Sequence, residues 1–240
     1  LNGVTLEDLV RICGPQPAAR VLRILHQICG SLREAHGQGL IHRDIKPANI
    51  MLCERGGLYD VVKVLDFGLV KEIQQDAPQI TQANAIVGTP FYLAPELITD
   101  TSIFSPLSDL YALGAVAYRL LTGHNVFEGA SSVEICAMHL HNQPVPPSKR
   151  TTRKIPPDLE AIVMSCLAKQ AADRPQSAGA MSEMLVQCQD YGAWSRQLAR
   201  KWWRENRSTL PMEEHERTHS PLANTQLLVD KEFENNYPLR

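Results

Sequence analysis

The chain has no uninterrupted apolar run of about 18 residues, which excludes a helical membrane span. Charge of one sign is also lacking. With 24 basic and 26 acidic residues the formal charge is −2, so no global field favours nucleic acid and any basic patch must be local. Cys13, Cys29, Cys53, Cys136, Cys166 and Cys188 are widely spaced and form no Cys-x-x-Cys pair. Most lie among apolar neighbours and read as reduced core thiols, so a cytoplasmic compartment is expected, with membrane tethering outside this stretch left open. No secretory signal opens the sequence, and no internal repeat is found. What is present is an ordinary apolar share of 44% over 240 residues, enough for one large domain or one and a half around a real core.

Ionisable groups concentrate between short apolar runs in residues 40–68. Asp44, Lys46 and Asn49 fall on a polar stretch whose Pro47 lacks a backbone donor, so a loop is predicted there. Residues 50–53 and 61–65 read as short strands, and residues 54–60, with Gly56-Gly57, close them into a hairpin. Asp66 then emerges from the second strand near the loop that carries Asp44 and Asn49. Phosphoryl transfer needs this combination: a carboxylate to orient and deprotonate a hydroxyl, a cation against phosphate charge, and hard oxygen ligands for magnesium.

With His42-Arg43-Asp44 and Asn49, then Asp66-Phe67-Gly68, then Ala94-Pro95-Glu96, the chain resembles the eukaryotic-type protein kinases, and most of all the bacterial serine/threonine kinases. The fold this implies is mainly α: a kinase C-terminal lobe with a short β-hairpin at the catalytic loop, followed by a C-terminal helix and a flexible tail. The resemblance implies Asp44 as the base, Lys46 as the cation on the transferring γ-phosphoryl group of ATP, and Asn49 with Asp66 as Mg2+ ligands. His42, Phe67 and Gly68 would be structural, as would Asp109, accepting hydrogen bonds from the backbone of the catalytic loop, and Glu96, paired with Arg174. Residues 68–96 would be the activation segment, with Thr89 contacting Asp44 and Lys46 and with Thr81 as a site where a phosphate would pair with Arg43. Protein substrates are implied, with serine or threonine rather than tyrosine as acceptor. Ala48 stands where many relatives carry glutamate, so no strong preference for arginine-rich sites is expected.

Helices are predicted from a capping pattern at Thr5 to about Gly14, over 18–38, over 108–122 with Gly123 stopping it, and over 132–141, 157–169 and 177–191. His26 and His36 read as surface or packing residues. Tyr111 stands where the family often has tryptophan. The resemblance ends at 191, which sets the expected division into a kinase lobe (1–191), a basic amphipathic helix (192–208) and a tail or linker (209–240). Tyr191, Trp194, Leu198 and Trp202 form one stripe of that helix, with Arg196, Arg200, Arg204 and Arg207 opposite and Trp203 breaking the pattern. Between Trp194 and Arg207 such a face suits an anionic membrane or a partner, although docking on its own lobe is the preferred expectation.

The glycine-rich loop that covers ATP phosphates is missing. The sole Gly-x-Gly, Gly37-Gln38-Gly39, leads into the catalytic loop, and Lys63 lies on the strand before Asp66 rather than where the family's phosphate-holding lysine belongs. The expectation is therefore an ordinary kinase truncated before Leu1, with this stretch alone turning over little or no ATP. The rival readings are a kinase-like module that binds partners without catalysis and a small-molecule phosphotransferase. The second shares the aspartate and asparagine but lacks Lys46 and the segment from Gly88 to Glu96.

Overall fold

The structure is a computed structural model in which residues 2–65 and 90–214 are described. Among these, eight α-helices surround one apolar core and a four-stranded antiparallel sheet lies at one side, in the order β3-β2-β1-β4. The strands are β1 (Asn2–Thr5), β2 (Ile50–Arg55), β3 (Leu58–Val64) and β4 (Glu213–Glu214). The sheet is larger than the predicted hairpin because β1 pairs with β2 through Gly3 opposite Cys53 and Val4 opposite Leu52. A side chain at Gly3 would bring its Cβ within 2.6 Å of the Leu52 carbonyl oxygen, so glycine lets the strands approach. The hairpin turn is also tighter than predicted. Gly56 (φ 57°) and Gly57 (φ 81°) both adopt the left-handed region, the requirement of a two-residue turn that matches strand twist, and pairing extends to Arg55 and Leu58.

Helix α1 (Leu6–Cys13) starts where Thr5 caps it, its hydroxyl oxygen accepting from the Asp8 amide. Helix α2 (Ala18–Gly37) runs through the core on Val21, Leu22, Leu25, Ile28, Cys29 and Leu32. Helix α3 (Pro95–Thr99), absent from the sequence prediction, is a single short turn begun by proline at its first position. Helix α4 (Pro106–Thr122) is buried all round from Ser108 to Tyr118 and ends at Gly123 in the left-handed region. Helix α5 (Ser132–His141) packs on α3, α6 (Pro157–Cys166) on α4 and α7 (Ala178–Val186) on α2, the last two ending earlier than predicted. All six cysteines are free thiols, five of them buried.

Packing of α4 on α6 is close enough to require Gly114. An alanine Cβ there would lie 2.6 Å from the Cys166 Cβ. Gly114→Ala is therefore expected to lose about 1–3 kcal/mol to overpacking despite alanine's better helix propensity. Urea unfolding of the two proteins side by side checks this, and an unchanged midpoint would show that the helices separate freely.

Helix α8 (Arg196–Asn206) corrects the predicted register. Trp203, read as the residue that breaks the stripe, is the one driven inward at 1% exposure, while Leu198 is 45% exposed. Trp194 precedes the helix, whose cap is Ser195. The helix docks on β3, so the tryptophan face expected to suit a membrane or partner is turned to the protein itself. Within the stretch expected to be tail from 209, Leu210 is buried, Met212 packs on the core, and β4 pairs with β1. No described helix is long and apolar enough to cross a membrane.

Candidate active site

The loop between α2 and β2 is built on a carboxylate buried beneath it. Asp109, 2% exposed at the polar start of α4, accepts from the backbone amides of His42 (2.9 Å) and Arg43 (3.0 Å). His36 Nε2 adds a third contact at 2.8 Å, so this histidine belongs to the support of the loop rather than to the surface. Its signal was faint, since one histidine near the end of a helix has no pattern of its own. Arg43 itself has φ 69°, a left-handed conformation that costs a non-glycine residue free energy and persists here because Asp109 holds its amide. The Arg43 guanidinium lies 5.1 Å from the centre of the Phe104 ring.

His42, 1% exposed, ties the loop to the hairpin. Its Nε2 is 2.8 Å from the Leu65 carbonyl oxygen, and its Nδ1 is 3.3 Å from the Asp44 amide nitrogen. A carbonyl can only accept and an amide N–H can only donate, so the neutral tautomer with its proton on Nε2 satisfies both contacts. The Leu65 amide in turn donates to the Asn49 carbonyl at 2.9 Å. The chain is thus fixed on both sides of Leu65 just before Asp66. Asp66, Phe67, Gly68, Thr81 and Thr89 lie outside the described residues.

On this frame Asp44, Lys46 and Asn49 come together at the surface. Lys46 Nζ donates to Asp44 Oδ2 at 2.7 Å, and Asn49 Nδ2 donates to the same oxygen at 2.8 Å and to the Asp44 carbonyl at 2.9 Å. Pro47 opens a single 3₁₀ turn, Pro47–Asn49, which swings Asn49 back towards Asp44. The Asp44 and Lys46 side chains are 58% and 39% exposed, so a solvent-borne reactant can reach both. With Nδ2 committed to Asp44, the oxygen of the Asn49 amide is left as a hard donor of the kind that magnesium takes. No trio of His, Cys, Asp or Glu suited to a metal is found among the described residues.

Glu96 and Arg174 form a bidentate pair, both contacts 2.8 Å, and Arg174 spends its remaining donors on the carbonyls of Leu107, Ala168 and Lys169. Ser108 donates to Glu96 at 2.9 Å. Burial acts to raise the Glu96 pKa, but the hydrogen bonds and charge of Arg174, with the Glu96 amide and Ser108, together outweigh it and hold the carboxyl below its ordinary value. The Arg174 guanidinium also lies over the Tyr111 ring at 4.9 Å, and the Tyr111 hydroxyl meets His139 Nδ1 at 2.7 Å. That partner gives tyrosine at 111 a physical reason. Burial pushes the His139 pKa down to about 4.

A model of the protein kinase domain family matches residues 1–186. The chain belongs to this family. Among curated relatives of the kinase chain, "Serine/threonine-protein kinase PknB" of Mycolicibacterium smegmatis is 39% identical over 186 residues, covering 78% of this chain and 29% of the relative. "Serine/threonine-protein kinase pkn3" of Myxococcus xanthus is 42% identical over 186 residues, covering 76% and 34% respectively. The chain thus spans about a third of the length of these relatives. A solved structure of Rad53 residues 1–466 in complex with AMP-PNP superposes with a TM-score of 0.62 at 26% identity, over 77% of this chain and 44% of that one.

Proposed function

We propose that the protein is a serine/threonine kinase that transfers the γ-phosphoryl group of ATP to protein hydroxyls, and that this chain supplies the C-terminal lobe of the kinase domain. The observation that carries the reading is the convergence of Asp44, Lys46 and Asn49 on one carboxylate oxygen at an exposed loop. A further lobe bearing the glycine-rich loop completes the ATP site, since no such motif occurs in this sequence.

In this reading Asp44 accepts the proton of the attacking hydroxyl and orients its lone pair. Lys46, beside it, faces the transferring phosphoryl charge. Asn49 and Asp66 would hold Mg2+, which when bound neutralises charge on the phosphates. Asp109 and His36 hold the loop backbone so that Asp44 is placed before substrate arrives. Arg43 beside Asp44 suits a phosphorylated Thr81 as partner, and Thr89 suits contact with Asp44 and Lys46.

Incubating the full-length protein with magnesium, γ-labelled ATP and a mixed protein acceptor is expected to give labelled phosphoserine and phosphothreonine on acid hydrolysis. Label confined to phosphotyrosine, or to a small-molecule acceptor, would contradict the assignment. An interaction module would give no label at all.

A further inference from the structure

Residues beyond the family match complete a second buried polar network. Arg20 of α2 and Asp60 of β3 are both fully buried, and pair through Nη2 to Oδ1 at 2.7 Å and Nε to Oδ2 at 3.0 Å. Each Asp60 oxygen takes one more donor, and both come from the C-terminal segment. Trp194 Nε1 donates to Oδ2 and Trp203 Nε1 to Oδ1, each at 2.7 Å. The Arg20 guanidinium is covered by the Trp202 ring at 3.7 Å and faces Trp194 at 5.2 Å, while its third side donates to Gln16. A buried ion pair is costly to desolvate unless its remaining hydrogen-bonding capacity is met, and here the tryptophans meet it. Hydrophobic docking of a loose helix would not need two indole N–H groups aimed at one carboxylate.

The same segment reaches the opposite edge of the sheet. After α8, Leu210 is buried, Met212 packs on the core, and β4 pairs with β1. Residues 194–214 therefore cross the sheet as a strap, fastened at β3 by Asp60 and at β1 by backbone pairing. Asp60 has φ 56°, with Gln27 donating to its carbonyl and accepting from the Val62 amide, so the start of β3 has one defined geometry. Five residues on, about 16 Å along an extended strand, Leu65 is clamped to His42 and Asn49.

We propose that this strap is part of the catalytic unit, with Asp60 a positioning residue through which Trp194 and Trp203 fix β3 and hence the magnesium-nucleotide side of the site. This rests on the kinase reading given above. It places the functional boundary of the domain near residue 214 rather than at 191. Coupling is reciprocal, so a bound nucleotide tightens the strap as much as the strap tightens the nucleotide site.

All three tryptophans of this sequence lie in the strap, so with any tryptophan outside residues 1–240 replaced by phenylalanine their fluorescence reports on it. In the full-length protein, magnesium with a non-hydrolysable ATP analogue is expected to lower quenching of that fluorescence by acrylamide. The Trp194→Phe/Trp203→Phe pair, which keeps ring packing and loses both N–H donors, is expected to bind the analogue about fivefold or more weakly, with Trp202 more accessible and the far-ultraviolet dichroism retained. Asp60→Asn and Trp194→Phe alone should move in the same direction, and serve if the double variant does not fold. Wild-type analogue affinity in every folded variant, with quenching indifferent to nucleotide, would overturn the coupling. If Asp44→Ala has meanwhile lost phosphoryl transfer, the kinase reading survives that result; if the unaltered protein binds no analogue, both fall.

Discussion

Replacing Asp44 by alanine in the full-length protein is expected to lower phosphoryl transfer by at least ~10²-fold, the scale of a lost general base. The geometry says why the loss should appear in turnover more than in nucleotide binding. Both hydrogen bonds that described residues give the carboxylate fall on Oδ2, from Lys46 and Asn49, so in the proposed mechanism Oδ1 is the oxygen that would take the hydroxyl proton. Alanine removes the proton acceptor. It also leaves Lys46 and the Asn49 amide without the oxygen that holds them together, while the Asn49 contact to the Asp44 carbonyl survives. The loop itself should keep its path, because Asp109 and His42 hold it through backbone atoms and through Leu65. Steady-state rates with labelled ATP, taken together with analogue affinity, separate the two effects. Near-normal turnover in this variant would remove Asp44 from the mechanism and return the interaction-module reading to contention.

Much of this frame was legible in the sequence because it depends on local chemistry. Thr5 three residues before Asp8 and Gly123 after an apolar run begin and end a helix by satisfying backbone groups close by in the chain. The tight turn at Gly56-Gly57 was visible, though not how far pairing ran beyond it. Other features depend on residues far apart. Arg20 and Asp60 are forty positions apart, and each looks like a solvated charge until the tryptophans of the strap cover them. The four residues of β1 and the two of β4 are too short to show a period, and only pairing makes them strands. The stripe of Tyr191, Trp194, Leu198 and Trp202 put Trp203 on the wrong side of α8. The hydrogen bond from Trp203 to Asp60 decided it, and no count of apolar spacing contains that bond.

Arg174→Ala is expected to destabilise the protein by about 3–5 kcal/mol, since Glu96 would remain half-enclosed without its partner. That is a large part of the roughly 5–15 kcal/mol that holds a domain folded, so the variant should sit near the edge of unfolding. The size follows from how fully Arg174 is used: it is buried, and it binds Glu96 and three backbone carbonyls of the surrounding chain. The carbonyls lose their donor together with the carboxylate. Charge and solvation make separate contributions, and a second change distinguishes them. Glu96→Gln in the Arg174→Ala background removes the stranded charge, so urea unfolding should recover part of the loss, whereas Glu96→Gln alone should only cost stability. The pH dependence has a fixed sign. Because the folded protein holds the Glu96 carboxyl below its unfolded value of about 4.3, the pair's stabilisation is complete above that value and fades as pH falls through the lower folded one. Acid unfolding of the native protein should therefore steepen below about pH 4.3, and Arg174→Ala should flatten that dependence. Equal steepness in both proteins would mean that Glu96 is not where the acid lability resides, and that the arginine serves the three carbonyls more than the carboxylate.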